Sequence, residues 1–249
     1  MPKSLVVIPT FNEIDNLESI VNRIRQSSHI DILVVDDNSL DGTGALANEL
    51  AQTVQGVHSL NRPRKEGLGP AYLAGFQWAF DHGYDLVAEM DADGSHDPAA
   101  LHTLVGIAEH TDAALVIGSR WVTGGSIVGW SRIREAISRA GNAYARLALG
   151  SHIHDMTAGF RVIRTDVLKR LDLSTIASSG YCFQIEVAHR IESTGALVIE
   201  HPITFREREA GVSKMHLGIV LEALWRITLW GISSMISSDL ASTPPGEKQ

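Results

Sequence analysis

Cysteine is almost missing from this 249-residue chain: Cys182 is the single one. One thiol excludes an internal disulfide framework and fits a reducing compartment. Phosphate-loop signatures are missing too. Neither a G-x-G-x-x-G nor a G-x-x-x-x-G-K-[ST] follows the first apolar run, which disfavours a dinucleotide fold and a P-loop. The N-terminal apolar run is too short for a signal peptide and reads as a first strand. Nor is there an uninterrupted apolar stretch of the length a membrane span needs. The best candidate, Leu217–Ile236, is broken by Glu222 and Arg226, which can pair at i and i+4. Charged residues make up an ordinary 20%, so global disorder is not expected.

With 44% hydrophobic residues the chain can bury one sizeable core. Short β-branched runs at Leu5–Ile8, Ile32–Val35, Leu86–Met90 and Leu115–Ile117 alternate with helical spacing over Glu13–Arg25, Thr43–Thr53, Pro70–Phe80 and Pro98–Glu109. That alternation predicts an open α/β sheet, whose ligands lie beyond the carboxyl ends of its strands. The second half is less regular. It reads as a glycine-rich loop around Gly124–Gly129, helices near Glu135–Leu149 and Phe183–Ser193, a strand at Leu197–Ile199, and the apolar segment already noted. The division expected is a catalytic domain over 1–214, an amphipathic helical segment over 215–236 and a disordered tail over 237–249.

The net charge of −8 hides an asymmetry, because Arg120 to Arg170 holds nine Arg or Lys against three acids. A compact basic stretch inside an acidic chain suits small phosphate-rich ligands, and nucleic acid is not the expected partner. The strand ends supply the chemistry. Pro9-Thr10-Phe11-Asn12-Glu13 follows the first run, and Asp36-Asp37-Asn38-Ser39 follows the second, where a carboxylate can meet a ribose or cap a helix. After Leu86–Met90 comes Asp91-Ala92-Asp93-Gly94-Ser95-His96-Asp97-Pro98. Alternate residues of an extended segment share a side, so Asp91 and Asp93 project together and repel unless a cation joins them. Mg²⁺ or Mn²⁺ prefers such hard oxygen ligands and bridges carboxylates to a diphosphate. Asp97 reads instead as the cap of a helix begun by Pro98.

These blocks, with Gly118-Ser119-Arg120, resemble the inverting family-2 glycosyltransferases of GT-A fold. Gly129-Trp130-Ser131-Arg132-Ile133-Arg134, Asp155-Met156-Thr157-Ala158-Gly159-Phe160-Arg161, Gly180-Tyr181-Cys182-Phe183-Gln184 and Arg208 through Lys214 narrow the resemblance to dolichol-phosphate and polyprenol-phosphate mannose synthases. The resemblance runs from Ser4 to about Lys214 and implies a role for each position. Pro9, Phe11 and Glu13 would line a guanosine pocket, with Asp37 near the ribose. Asp91 and Asp93 would hold Mg²⁺ or Mn²⁺ on the donor diphosphate, Arg120 and Arg134 would grip the lipid phosphate, and Arg208 with Lys214 would clamp the diphosphate. Some relatives carry glutamine where this chain has Ser95, so the third metal ligand is Ser95, His96 or water.

The implied reaction moves mannose from GDP-mannose to a polyprenyl phosphate, with inversion, at the cytoplasmic face of a membrane. The enzyme would attach peripherally, through a headgroup-plane helix or a membrane-embedded partner subunit. A polyprenyl-phosphate glucosyltransferase using UDP-glucose shares most of these motifs. An enzyme acting on sugar hydroxyls would share the first half, although the Gln-x-x-Arg-Trp of processive synthases is missing. A sugar-nucleotide pyrophosphorylase should show a glycine-rich N-terminal phosphate loop, and a non-catalytic scaffold has no need of the two aspartates.

Overall fold

The computed structural model describes residues 2–176, 180–207 and 224–231. A seven-stranded sheet is built from β1 (Ser4–Thr10), β2 (Asp31–Asp36), β3 (Val57–Asn61), β4 (Leu86–Glu89), β5 (Leu115–Ser119), β7 (Arg161–Arg164) and β8 (Val198–Pro202). Its order is β3-β2-β1-β4-β7-β5-β8, and β7 alone runs antiparallel to its neighbours. Helices α1 (Ile14–Ser27), α2 (Thr43–Thr53), α3 (Leu68–Asp81) and α4 (Pro98–His110) connect the first strands. The later helices are α5 (Arg132–Leu149), α6 (Thr165–Arg170) and α7 (Tyr181–Ser193).

Helices cover both faces of the sheet, which explains why its strands read as continuous apolar runs. Leu5, Val7, Leu33 and Val35 enter one core with α3 and α7, whereas Val6, Ile8, Ile32 and Val34 enter the other with α1, α2 and α4. On the first side α3 comes so near β1 that a Cβ on Gly75 would stand 2.5 Å from a Val7 methyl. Only glycine permits that approach. Tyr72 and Phe76 of the same helix stack with Phe183 of α7, ring centroids 6.0 and 6.4 Å apart. Asp97 accepts a hydrogen bond from the Ala99 N–H at 3.0 Å and starts α4, as its sequence position predicts.

The mostly parallel α/β architecture agrees with the sequence reading, but two sheet strands lie where no strand is expected. β3 carries only two apolar side chains in Val-His-Ser-Leu-Asn and forms the half-exposed edge of the sheet. β7 is Arg-Val-Ile-Arg, a short run bounded by charges, and slides between β4 and β5. A third difference lies in the glycine-rich loop. There β6 (Ser126–Val128) pairs in parallel with β9 (Thr204–Arg206) across about eighty residues of chain. Within the apolar segment expected over Leu217–Ile236, residues 224–231 are described and helical. Ile227 is buried in the core, and the Tyr144 and Thr228 hydroxyls meet at 2.6 Å, tying the segment to α5. Trp225 and Leu229 face outward. Among the described residues, no helix is long and apolar enough to cross a membrane.

Candidate active site

The turns after β1 and β2 are wired to each other. The Thr10 hydroxyl and the Ser39 N–H and hydroxyl all donate to the buried Asp36 carboxylate, at 2.9, 2.9 and 2.6 Å. Asn12 and Asn38 both hold left-handed backbone, φ 58° and 59°, which asparagine tolerates better than most residues. The Asn12 N–H donates to Ser39 Oγ at 2.9 Å, and the Leu40 N–H returns a bond to Asn12 Oδ1 at 3.1 Å. Asp41 closes the joint by accepting from the Ile14 N–H and from the Thr43 N–H and hydroxyl. Burial raises the Asp41 pKa, but those hydrogen bonds outweigh it and hold the carboxyl below its ordinary value.

Pro9, Phe11 and Glu13 sit half-buried at this joint. Asp37 is buried, pairs with Arg62, and accepts from the Glu66 and Gly67 N–H groups at 3.3 Å each. Lys65 of the same 62–67 loop lies 3.7 Å over the Phe11 ring. One loop therefore touches two of the residues implied for the nucleoside, a contact that sequence spacing does not disclose.

A separate cleft, open to solvent, gathers Asp91, Asp93, Arg120 and Arg134. Asp91 and Asp93 follow β4, and Asp93 accepts from the Ser95 N–H at 3.1 Å. His96 is buried, stacked on Phe160 with centroids 4.8 Å apart, and its Nε2 lies 3.7 Å from Asp91 Oδ2. Among the described residues neither ring nitrogen of His96 nor the Ser95 hydroxyl has a hydrogen-bond partner. Two carboxylates beside unpartnered N and O donors fit a hard divalent cation. Among the described residues no three His, Cys, Asp or Glu side chains close a complete cage. Mg²⁺ and Mn²⁺ sites that keep waters and phosphate oxygens have the same open form.

In the same cleft Arg120 is braced by the fully buried Asp155, with Nε to Oδ2 at 2.8 Å and Nη2 to Oδ1 at 2.6 Å. Thr157 Oγ1 accepts from the same Nη2 at 2.9 Å. Glu200 holds that loop by accepting from the His154 and Asp155 N–H groups. Arg134 rides 4.1 Å over the Trp130 ring, and its Nη1 meets Glu207 Oε1 at 2.8 Å. The structure thus brings Asp91, Asp93, Arg120 and Arg134 together and leaves Pro9, Phe11, Glu13 and Asp37 beyond this cleft, at the ends of β1 and β2. Arg208 and Lys214 lie outside the described residues.

Beneath the cleft lies a polar floor that the sequence conceals. Glu89 and Arg161 are both fully buried with Oε2 and Nε 3.8 Å apart, and Arg161 Nη1 donates to the Gln184 carbonyl at 2.9 Å. Burial raises the Glu89 pKa to about 7, against the pull of Arg161 and the nearby Gln184 amide. The Gln184 amide makes no hydrogen bond of normal geometry. Tyr72 stands in the same layer, its phenol pushed well up by burial and by Asp91 and Glu89. Asp155, Trp130, Phe205 and Gln184 are site residues with no sequence signal beyond their place in the matched blocks.

A profile described as glycosyl transferase family 2 matches residues 5–172. The chain is 49% identical to a polyprenol monophosphomannose synthase of Mycolicibacterium smegmatis over 232 residues, covering 92% of this chain and 87% of that protein. It is 48% identical to an undecaprenyl-phosphate mannosyltransferase of Micrococcus luteus over 231 residues, covering 92% of this chain and 94% of that protein. Among solved structures, a glucosyl-3-phosphoglycerate synthase from Mycobacterium tuberculosis, in complex with Mn²⁺ and UDP-glucose, superimposes with a TM-score of 0.63. At 20% identity, covering 93% of this chain and 78% of that one, it shows the fold alone.

Proposed function

The chain belongs to glycosyl transferase family 2, and from that premise we propose that it transfers mannose from GDP-mannose to the phosphate of a polyprenyl monophosphate, inverting the anomeric centre. The observation that carries this reading is the charge of the cleft: paired aspartates and two braced arginines line the same space. Both named relatives are mannosyltransferases acting on polyprenyl-type phosphates.

Asp91 and Asp93 would hold Mg²⁺ or Mn²⁺, which supplies charge neutralisation to the departing diphosphate. Everything else falls to the chain. A phosphate monoester carries about −1.5 to −2 charge near pH 7, so it attacks without a general base. The protein's work is therefore placement and electrostatics. Arg120 cannot swing, because Asp155 and Thr157 fix its fork, so it offers a preset site to one phosphate. Arg134, braced on Trp130, adds the second cationic contact once phosphate displaces Glu207. The half-buried Pro9, Phe11 and Glu13 and the loop-held Asp37 would seat the guanosine, and Arg208 with Lys214 would clamp the diphosphate.

A polyprenyl chain requires work at a bilayer, and the molecule has surface for a peripheral contact. α5 leaves Ile133, Ile137 and Leu147 exposed among its arginines, and the segment 224–231 leaves Trp225 and Leu229 exposed. Such surfaces lie in a headgroup layer, here on the cytoplasmic face. Incubation with labelled GDP-mannose, Mn²⁺ and undecaprenyl phosphate should give a mannosyl lipid of inverted configuration by NMR. Retention, turnover surviving EDTA, or preference for UDP-glucose would overturn the corresponding part of this assignment.

A further inference from the structure

Gln184 is a polar residue of the cleft with no task in the reaction as described. It stands in the first turn of α7, 1% exposed, and its amide lies beside the buried Glu89 carboxyl with no hydrogen bond of normal geometry among the described residues. Its backbone is pinned, because the buried Arg161 donates to its carbonyl at 2.9 Å. A buried amide without a well-formed hydrogen bond destabilises a fold, and an apolar side chain of like volume would serve packing as well. Its presence against that cost points to a ligand.

Position points to which ligand. A Cβ on Gly159 would stand 3.8 Å from Asp91 Oδ2 and 4.0 Å from Gln184 Nε2. The missing side chain of Gly159 therefore leaves a gap with the metal-side carboxylate on one edge and the amide on the other. A donor hexose joins its diphosphate through one oxygen, so a diphosphate held at Asp91 and Asp93 places the ring beside that gap. An amide offers two donors and an acceptor, and a sugar hydroxyl answers both kinds.

We propose that Gln184 hydrogen-bonds a hydroxyl of the donor hexose and is a specificity-determining residue for the sugar transferred. The proposal rests on the donor assignment above. Its test compares Gln184→Met and Gly159→Ala with the parent protein, measuring calorimetric affinity for GDP and for GDP-mannose with Mn²⁺, and the melting temperature without ligand. Both variants should bind GDP like the parent and GDP-mannose about tenfold more weakly, as loss of a buried polar contact predicts. Gln184→Met should melt no lower than the parent, and its preference in kcat/KM for GDP-mannose over GDP-glucose should shrink. Equal weakening toward GDP and GDP-mannose, unchanged affinity for both, or a lower melting temperature for Gln184→Met would overturn the role. A parent protein that prefers UDP-glucose would sink the donor assignment instead. The same comparison made with UDP and UDP-glucose would then decide Gln184 by itself.

Discussion

At the scale of single residues the cleft separates groups that hold charge in place from groups that meet ligand. Asp93 belongs to the second kind in the proposed reaction, since it lines the cleft beside Asp91 and His96. Asp93→Asn should therefore leave the melting temperature within about 2–4 °C of the parent, the shift expected for about 1 kcal/mol in a chain of this size. Turnover should fall roughly a thousandfold, because a lost metal ligand removes several kcal/mol of transition-state stabilisation. Near-normal kcat in a radiolabel transfer assay would remove Asp93 from the metal site. Arg134 and Glu207 make an opposed pair of tests. Arg134→Ala should raise KM for undecaprenyl phosphate by about 10–100-fold, the worth of a charge-assisted phosphate contact, with donor KM little changed. Glu207→Gln should lower the same KM by about two- to fivefold, because an exposed ion pair contributes about 0.2–1 kcal/mol. If the two variants moved acceptor KM in the same direction, Glu207 would not be competing with substrate.

Elements are joined here by short polar residues more than by helix propensity. The starts of α1 and α2 are tied through Asp41, which accepts from the Ile14 N–H, the Thr43 N–H and the Thr43 hydroxyl. Its folded pKa lies below the unfolded value, so its stabilisation is present above that value, 3.8, and disappears as pH falls through the folded one. Asp41→Ala should cost about 1 kcal/mol near neutral pH, as the loss of a cap does. The gap from the parent should close as a urea-denaturation series descends below about pH 4. A gap that stays constant to pH 3 would mean the hydrogen bonds do not depend on ionisation.

For the whole molecule, the arrangement that matters is a cleft lined by Arg134 of α5, a helix that also presents apolar residues to solvent. Arg134 lies in the first turn of that helix, beside the exposed Ile133 and one turn before the exposed Ile137. A bilayer meeting this face would deliver a lipid phosphate beside the arginines. Ile133→Asp with Ile137→Asp should reduce sedimentation with anionic vesicles at least severalfold, since each loses buried apolar area and adds repulsion. Transfer to a short, water-soluble prenyl phosphate should stay near the parent rate. Undiminished vesicle binding would move the attachment elsewhere, the segment 224–231 being the next surface to test.

Local pattern was enough for what depends on neighbours in the chain. The strands β1, β2, β4 and β5 announce themselves because both faces are buried and their central positions are apolar, and Asp97-Pro98 announces α4. The α/β class and the pairing of Asp91 with Asp93 follow from the same local reading, whereas Arg120 and Arg134 rest on the family resemblance. Partnerships between distant segments required the folded chain. β7 is a strand because β4 and β5 leave a slot between them, although its terminal arginines read as surface. Asp155 and Gln184 stand in blocks that resemble the family, but their partners, Arg120 35 residues away and Arg161 23 residues away, are set only by the folded sheet. Side-chain chemistry is written residue by residue, but burial and pairing are set by which elements the sheet order brings together.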